Sequence, residues 1–306
     1  MHGTSKGPDD AQRSYSHAQK LRAGTTYGFR KTGRRGKVPW NRATVLGNPS
    51  ISDLVSSYML GLHKRKADEK QVAKGKTSTS ARAIGPGILK QLYVHNHKHE
   101  NWDNNHLSQG NWCGGNMRRL LQAVYLVAFT CLLRIDEVLN IQAHEVDLYN
   151  DEVDNTACVS ITLPFRKNTQ FGDIPLFVLR ELPEHMAHLC PVRALATWIG
   201  TSRINKGNLF PNIDKRDQSQ HCQEHRNGKK PEVFLQLFQN NLWDLGITPY
   251  PYGTHSFRRG GCQWFSCDLH WSIRQICEWG GWSLDFSHMT IVKYLISSND
   301  TPDSSS

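Results

Sequence analysis

The longest apolar run in the chain is LLQAVYLVAFTCLL, from Leu120 to Leu133, with arginines at both ends. A bilayer-spanning helix needs about 20 apolar residues, so this run predicts a buried core helix, from about Met117 to Ile141. Further helices are predicted over DDAQRSYSHAQKLRAGTTYGF and over NPSISDLVSSYMLGLHKRK, where Ser50 or Ser52 is the N-cap. ARAIGPGILKQLYVHNHK reads as a helix interrupted by Gly-Pro-Gly. CPVRALATWIG reads as a helix ended by its glycine, and EVFLQLFQNNLWDLGI as another helix. Alternation changes to a period of two in ACVSITLPF and DIPLFVL, and the polar RKNTQFG between them predicts a β-hairpin. HENWDNNHLSQGNWCGGN and residues 212–231 are polar or charged loops. The last third alternates short helices with Gly/Pro turns. The expected fold is mainly α with one small antiparallel sheet (α+β).

Ala67–Ser80 is charged and then Lys/Thr/Ser-rich, which predicts a linker. It divides a basic helical amino-terminal module (1–76) from a larger domain (77–298), and the tail 299–306 is expected to be disordered. The first module is short for an independent domain, so sequence upstream of it is expected.

Composition sharpens the picture. A net charge of +10 and a pI of about 9.2 favour an acidic partner, nucleic acid before anionic lipid. The start, MHGTSKGPDD, has no apolar core and cannot be a secretory signal. The eight cysteines form no CxxC pair, which predicts reduced core thiols in an intracellular protein. VHNHKH and HCQEH read as polar loops, since neither has a second ligand pair for zinc.

The candidate chemistry lies in cations placed beside apolar segments. Arg134 closes the core helix, and Glu137 lies one turn on, at a spacing that brings side chains together. Taken alone, that pair reads as an internal ion pair. Lys167 sits at the hairpin tip in FRKNTQFGDIPLF. GTHSFRRGG carries His255 and Arg258 on adjacent turns of a helix that Thr254 can cap. Trp282 lies in a turn after Gly280 and Gly281, and Tyr294 on the following helix, flanked by Ile291, Val292 and Leu295. Each of these alone suits a structural role.

The ordered series Arg…Lys…His-x-x-Arg…Trp…Tyr resembles the tyrosine recombinases, the phage-integrase family, over roughly residues 77–298. LLRIDEVLNI is similar to the family's first arginine box, RKNTQFGDIPL to its lysine hairpin, HSFRRGG to its His-x-x-Arg box and GGWS to its His/Trp box. CPVRAL and HSFRRGG resemble the Crypton type of eukaryotic transposable element. The turn between Trp282 and Tyr294 is longer than in bacterial relatives.

The resemblance implies a tyrosine recombinase catalytic domain behind a helical DNA-binding arm, cutting and rejoining double-stranded DNA without metal or cofactor. It implies Arg134, Lys167, His255, Arg258 and Trp282 as catalytic residues around the nucleophile Tyr294, with Glu137 in support. Arg166 and Arg259 are implied as DNA-backbone contacts, Arg259 equally as solvent-facing. It further implies a homo-oligomer, a tetramer on DNA, with no membrane partner, in the nucleus if the source is eukaryotic and intracellular otherwise. The basic runs Arg30–Lys37 and Lys64–Lys76 would grip the backbone, or stay solvated, or serve as a nuclear localisation signal. The alternative is a catalytically silent DNA-binding protein on the same fold. A third reading, a basic or RNA-associated interaction protein, treats the motif series as chance.

Overall fold

The computed structural model describes residues 15–33, 38–62, 81–102, 112–163, 176–213, 217, 230–282, 290–296 and 300. The chain divides into two units, Met1–Thr77 and Ser78–Ser306. In the first, helix α1 (Tyr15–Gly33) lies along a short 3₁₀ turn, Pro49–Ile51, and helix α2 covers residues 53–62. Arg22 ties them, Nε donating to the Ser50 carbonyl at 2.7 Å and Nη2 to Ser56 Oγ at 2.9 Å. Ser52 is the cap of α2, its Oγ accepting from the Val55 N–H, whereas Ser50 is buried.

The second unit is mainly helical around one small antiparallel sheet. Its helices are α3 (Pro86–Asn96), α4 (His99–Trp102), α5 (Gly115–Thr130), α6 (Ile135–Leu139), α7 (Pro191–Ser202), α8 (Pro231–Trp243), α9 (Ser256–Cys267), α10 (Ile273–Gly280) and α11 (Thr290–Leu295). Strands β1 (Val146–Asn150), β2 (Ala157–Ile161) and β3 (Phe177–Arg180) run in the order β1-β2-β3, with Val159 opposite both Leu148 and Leu179.

Helix α5 is the axis of this unit, buried along its length and packed against α7 and α9. Its first turn has no cap of its own, since Gly114 stands at that position. Asp217 supplies one from far along the chain, accepting from the Asn116 N–H at 2.7 Å and the Met117 N–H at 3.0 Å. Further along the helix, Tyr125 stacks on Phe257 at 4.9 Å, and Phe234 and Phe238 of α8 close the cluster. That contact anchors the start of α9.

Several elements differ from the sequence expectation. The single helix expected over Met117–Ile141 is two, α5 and α6. The break is a helix-terminating turn in which Leu132 takes φ of +51° and the Leu133 N–H reaches back to the Ala128 carbonyl. A leucine there costs about 1–2 kcal/mol in backbone strain. Burial against Gly261 offsets it, because a Cβ on that glycine would lie 2.6 Å from Leu132 Cδ2. Gly-Pro-Gly does not interrupt α3 but starts it, with Gly85 as N-cap and Pro86 pre-set for the first turn. The loop expected at 99–102 is the short α4, and VHNHKH lies largely in helix, with His97 stacked on Trp102 at 3.9 Å. Helix α7 runs through Gly200 to Ser202, with Arg203 as its C-cap. Strand β1 was not foreseen, because its residues are mostly exposed and carry little apolar alternation. The hairpin tip, HCQEH and the Lys64–Lys76 run lie outside the described residues.

Candidate active site

Arg134 stands at the N-cap of α6, in extended backbone (φ −73°, ψ 151°) between the α5 turn and the next helix. Glu137, one turn on, grips it twice. Its Oε2 accepts from the Arg134 backbone N–H at 2.8 Å, and its Oε1 from the guanidinium at 3.0 Å. The same carboxylate faces a second arginine, with Arg258 Nη1 3.7 Å from Glu137 Oε2. One buried acid thus sits between two cations that are distant in sequence.

Arg258 lies in the first turn of α9, whose start is pinned by Phe257. It is 2% exposed. Nη2 donates to the Gly280 carbonyl at 3.4 Å, while Nε and Nη1 make no hydrogen bond among the described residues. A buried donor left so costs roughly 1–3 kcal/mol. Burial also pushes the Arg258 pKa down, an effect that Arg134 reinforces. The guanidinium is held flat by aromatic faces, 4.3 Å from the Trp282 ring centre and 5.3 Å from that of Tyr294. The two rings are themselves 5.3 Å apart.

Trp282 follows the left-handed Gly281 that ends α10, and packs on Gly280 so closely that a Cβ there would lie 2.0 Å from its ring. Tyr294 is half-buried on α11, and its ring centre lies 6.3 Å from that of His255. His255 is itself the N-cap residue of α9, where Thr254 was expected. Desolvation of the ring lowers its pKa, and the cations Arg258 and Arg134 lower it further against the acids Asp136 and Glu137. The imidazole is therefore neutral at pH 7 and able to accept a proton.

Arg134, Glu137, His255, Arg258, Trp282 and Tyr294 are thus brought together. Lys167 and Arg166 lie outside the described residues. Arg259 is a correction. It faces neither solvent nor an open groove but is 3% exposed, donating from Nη1 to the Ala81 carbonyl and from Nη2 to Asp300 at 2.5 Å. Asp300 lies in the tail expected to be disordered. It is anchored by Arg259, by Gln263 and by the Ala83 N–H.

Sequence reasoning missed Asp300, the Gly280 carbonyl and Trp279. Only tertiary packing distinguishes them, and no local motif marks them. Among the described residues no three His, Cys, Asp or Glu side chains are grouped to hold a metal ion, and no helix is long and apolar enough to cross a membrane. The Cys113 and Cys262 thiols are poor nucleophiles, desolvation raising each to about 12.

No family model matches the chain, and no curated protein matches its sequence. Solved structures similar to it include the XerH site-specific recombinase in a pre-cleavage complex with its difH substrate. That likeness has 11% identity and a TM-score of 0.46, over 92% of this chain and 76% of that one. A lambda integrase (75–356) dimer bound to a COC′ core site is similar at 10% identity and a TM-score of 0.42, over 99% and 87%. A Flp recombinase–Holliday junction complex is similar at 12% identity and a TM-score of 0.40, over 76% and 51%, so the chain spans about half of Flp's length.

Proposed function

We propose that this chain is a tyrosine recombinase that cuts and rejoins double-stranded DNA through Tyr294. The observation supporting this reading is the meeting of Arg134, His255, Arg258, Trp282 and Tyr294, from four separate segments, around two cations that share one acid. Arg258 keeps two buried donors without a hydrogen bond among the described residues, and a phosphodiester would supply the missing acceptor oxygens.

In the reaction the Tyr294 hydroxyl attacks phosphorus, forming the Oη–P bond as the P–O5′ bond breaks. Neutral His255 takes up the phenolic proton. Lys167 delivers a proton to the departing 5′-oxygen. Arg134 and Arg258 stabilise the charge that develops on the non-bridging oxygens, and the Trp282 N–H donates to one of them. The 3′-phosphotyrosine conserves the bond energy, so a 5′-hydroxyl from another strand reverses the step without a cofactor. Glu137 holds both arginines in register. By the same reading the enzyme works as a tetramer on two duplexes of a mobile element of Crypton type, and in a eukaryotic cell it acts in the nucleus. The basic amino-terminal runs contribute salt-dependent backbone affinity.

A nicked suicide duplex, whose cleaved fragment diffuses away, traps the covalent intermediate. The wild-type protein should form a protein–DNA adduct stable to denaturant, and Tyr294→Phe none. Absence of adduct from the wild type, or equal adduct from Tyr294→Phe, would overturn the reading. Salt-sensitive duplex binding without adduct would mark a silent DNA-binding protein instead.

A further inference from the structure

We propose that Trp279 is a positioning residue, whose indole N–H fixes the spacing between the Arg134 turn and the Arg258–Trp282 side of the site. The inference deepens the recombinase reading and rests on it for the chemistry, though not for the geometry.

Helix α5 ends at Thr130, and the last carbonyls of a helix have no partner within it. The chain then turns sharply at Leu132 and reaches Arg134 four residues after Thr130. The Thr130 carbonyl is taken by Trp279 Nε1 of α10 at 2.7 Å, a bond between residues 149 positions apart. It is therefore a tie across elements, made at the point where the backbone departs for Arg134.

The residues that follow Trp279 carry the opposite side of the site. Gly280 offers its carbonyl to Arg258 Nη2. Gly281 turns the chain, and Trp282 lies over both Gly280 and the Arg258 guanidinium. Residues 279–282 thus link Thr130, Arg258 and Trp282 within one turn. If the Trp279 tie is released, α10 can shift along α5, and the Arg134–Arg258 separation, bridged by Glu137, shifts with it.

The indole ring also has neighbours that set its own position. It meets Phe177 of β3 edge-on at 5.0 Å and 81°, and Trp271 at 5.9 Å and 86°. Phe177 begins β3, which pairs with β2. A phenyl ring can fill most of this apolar space. Only an indole supplies the N–H.

Two substitutions test the assignment, Trp279→Phe and replacement of Trp279 by 3-benzothienylalanine, which keeps the ring shape and removes the donor. Each is compared with the wild type in three measurements: adduct formation at saturating suicide duplex, duplex affinity, and affinity for tungstate, a phosphate-like oxyanion, by calorimetry. The expected result is adduct formation slowed on the order of tenfold or more, as misplaced reacting groups require. Tungstate should bind several-fold more weakly, while duplex affinity stays at the wild-type value. A purely structural tryptophan would lower the unfolding midpoint but leave tungstate affinity and adduct rate in the folded fraction unchanged, and that outcome overturns the proposal. Wild-type rates and tungstate affinity in the benzothienyl variant overturn it as well, even if Trp279→Phe does not fold. If the wild type forms no adduct but both variants lose tungstate affinity, the recombinase reading fails and the positioning role of Trp279 stands.

Discussion

His255 takes its properties from neighbours that its sequence position does not reveal. Beside Arg134 and Arg258, a protonated imidazole would add a third cation to a partly desolvated site, so the proton is held less tightly than in free histidine. A base of this kind keeps working on acidification until the medium passes below its own depressed pKa. Adduct formation by the proposed enzyme should therefore persist at pH 6.5, the ordinary histidine value, and fall only below it. A pH–rate profile of the wild type, measured at saturating duplex, checks this. An acid limb centred above 6.5 would contradict the lowered pKa. Glu137 belongs to the same scale. Its pairing with Arg134 was legible from the three-residue spacing, but its approach to Arg258 was not, because that needs α9 to be packed against α5.

At the scale of elements, close backbone approach decides where the charged groups stand. Gly260 and Gly261 let α9 press against its neighbours: a Cβ on Gly260 would lie 1.8 Å from the Ile84 carbonyl oxygen, and one on Gly261 2.0 Å from that of Phe129. Those obstacles are backbone and cannot rotate away. Gly261→Ala should destabilise the protein by about 1–3 kcal/mol or more, as overpacking does. Urea unfolding monitored by circular dichroism measures it, and a change under about 0.5 kcal/mol would show that α9 can move freely from α5. The capping of α5 makes a related point. Its own sequence offers Gly114 at the cap, and Asp217 provides the acceptor from a charged loop that the sequence marks only as irregular. The break between α5 and α6 was hidden for the opposite reason: Leu132 looks like one more core residue, and only its burial against Gly261 makes its left-handed conformation tolerable.

At the scale of the whole molecule, the histidines give the second unit a common response to acid. His95, His97, His188 and His255 all have lowered pKa values, with burial as the first cause in each. Near pH 6 the unfolded chain therefore binds more protons than the folded one, and stability rises with pH. The unfolding temperature should fall as pH drops from 7.5 towards 5, most steeply below 6.5. Scanning calorimetry at fixed ionic strength tests this, and a midpoint that rises on acidification through that window would refute it.

By itself the sequence marked most of the helices, the paired strands β2 and β3 and the candidate reactive groups. Apolar periodicity, proline and glycine placement and the His-x-x-Arg and Gly-Gly-Trp motifs are local properties, fixed by spacing along the chain. Only the tertiary structure decided which cations are satisfied and which keep donors open. Arg259 and Arg258 are adjacent in sequence and nearly equal in burial. Yet Arg259 is hydrogen-bonded to Asp300 and keeps one donor, Nε, open, whereas Arg258 is left with two donors that no described residue accepts. The physical reason is that satisfying a buried charge requires a partner within a few ångströms, and such partners come from segments that meet only when α5, α9, α10 and α11 pack together.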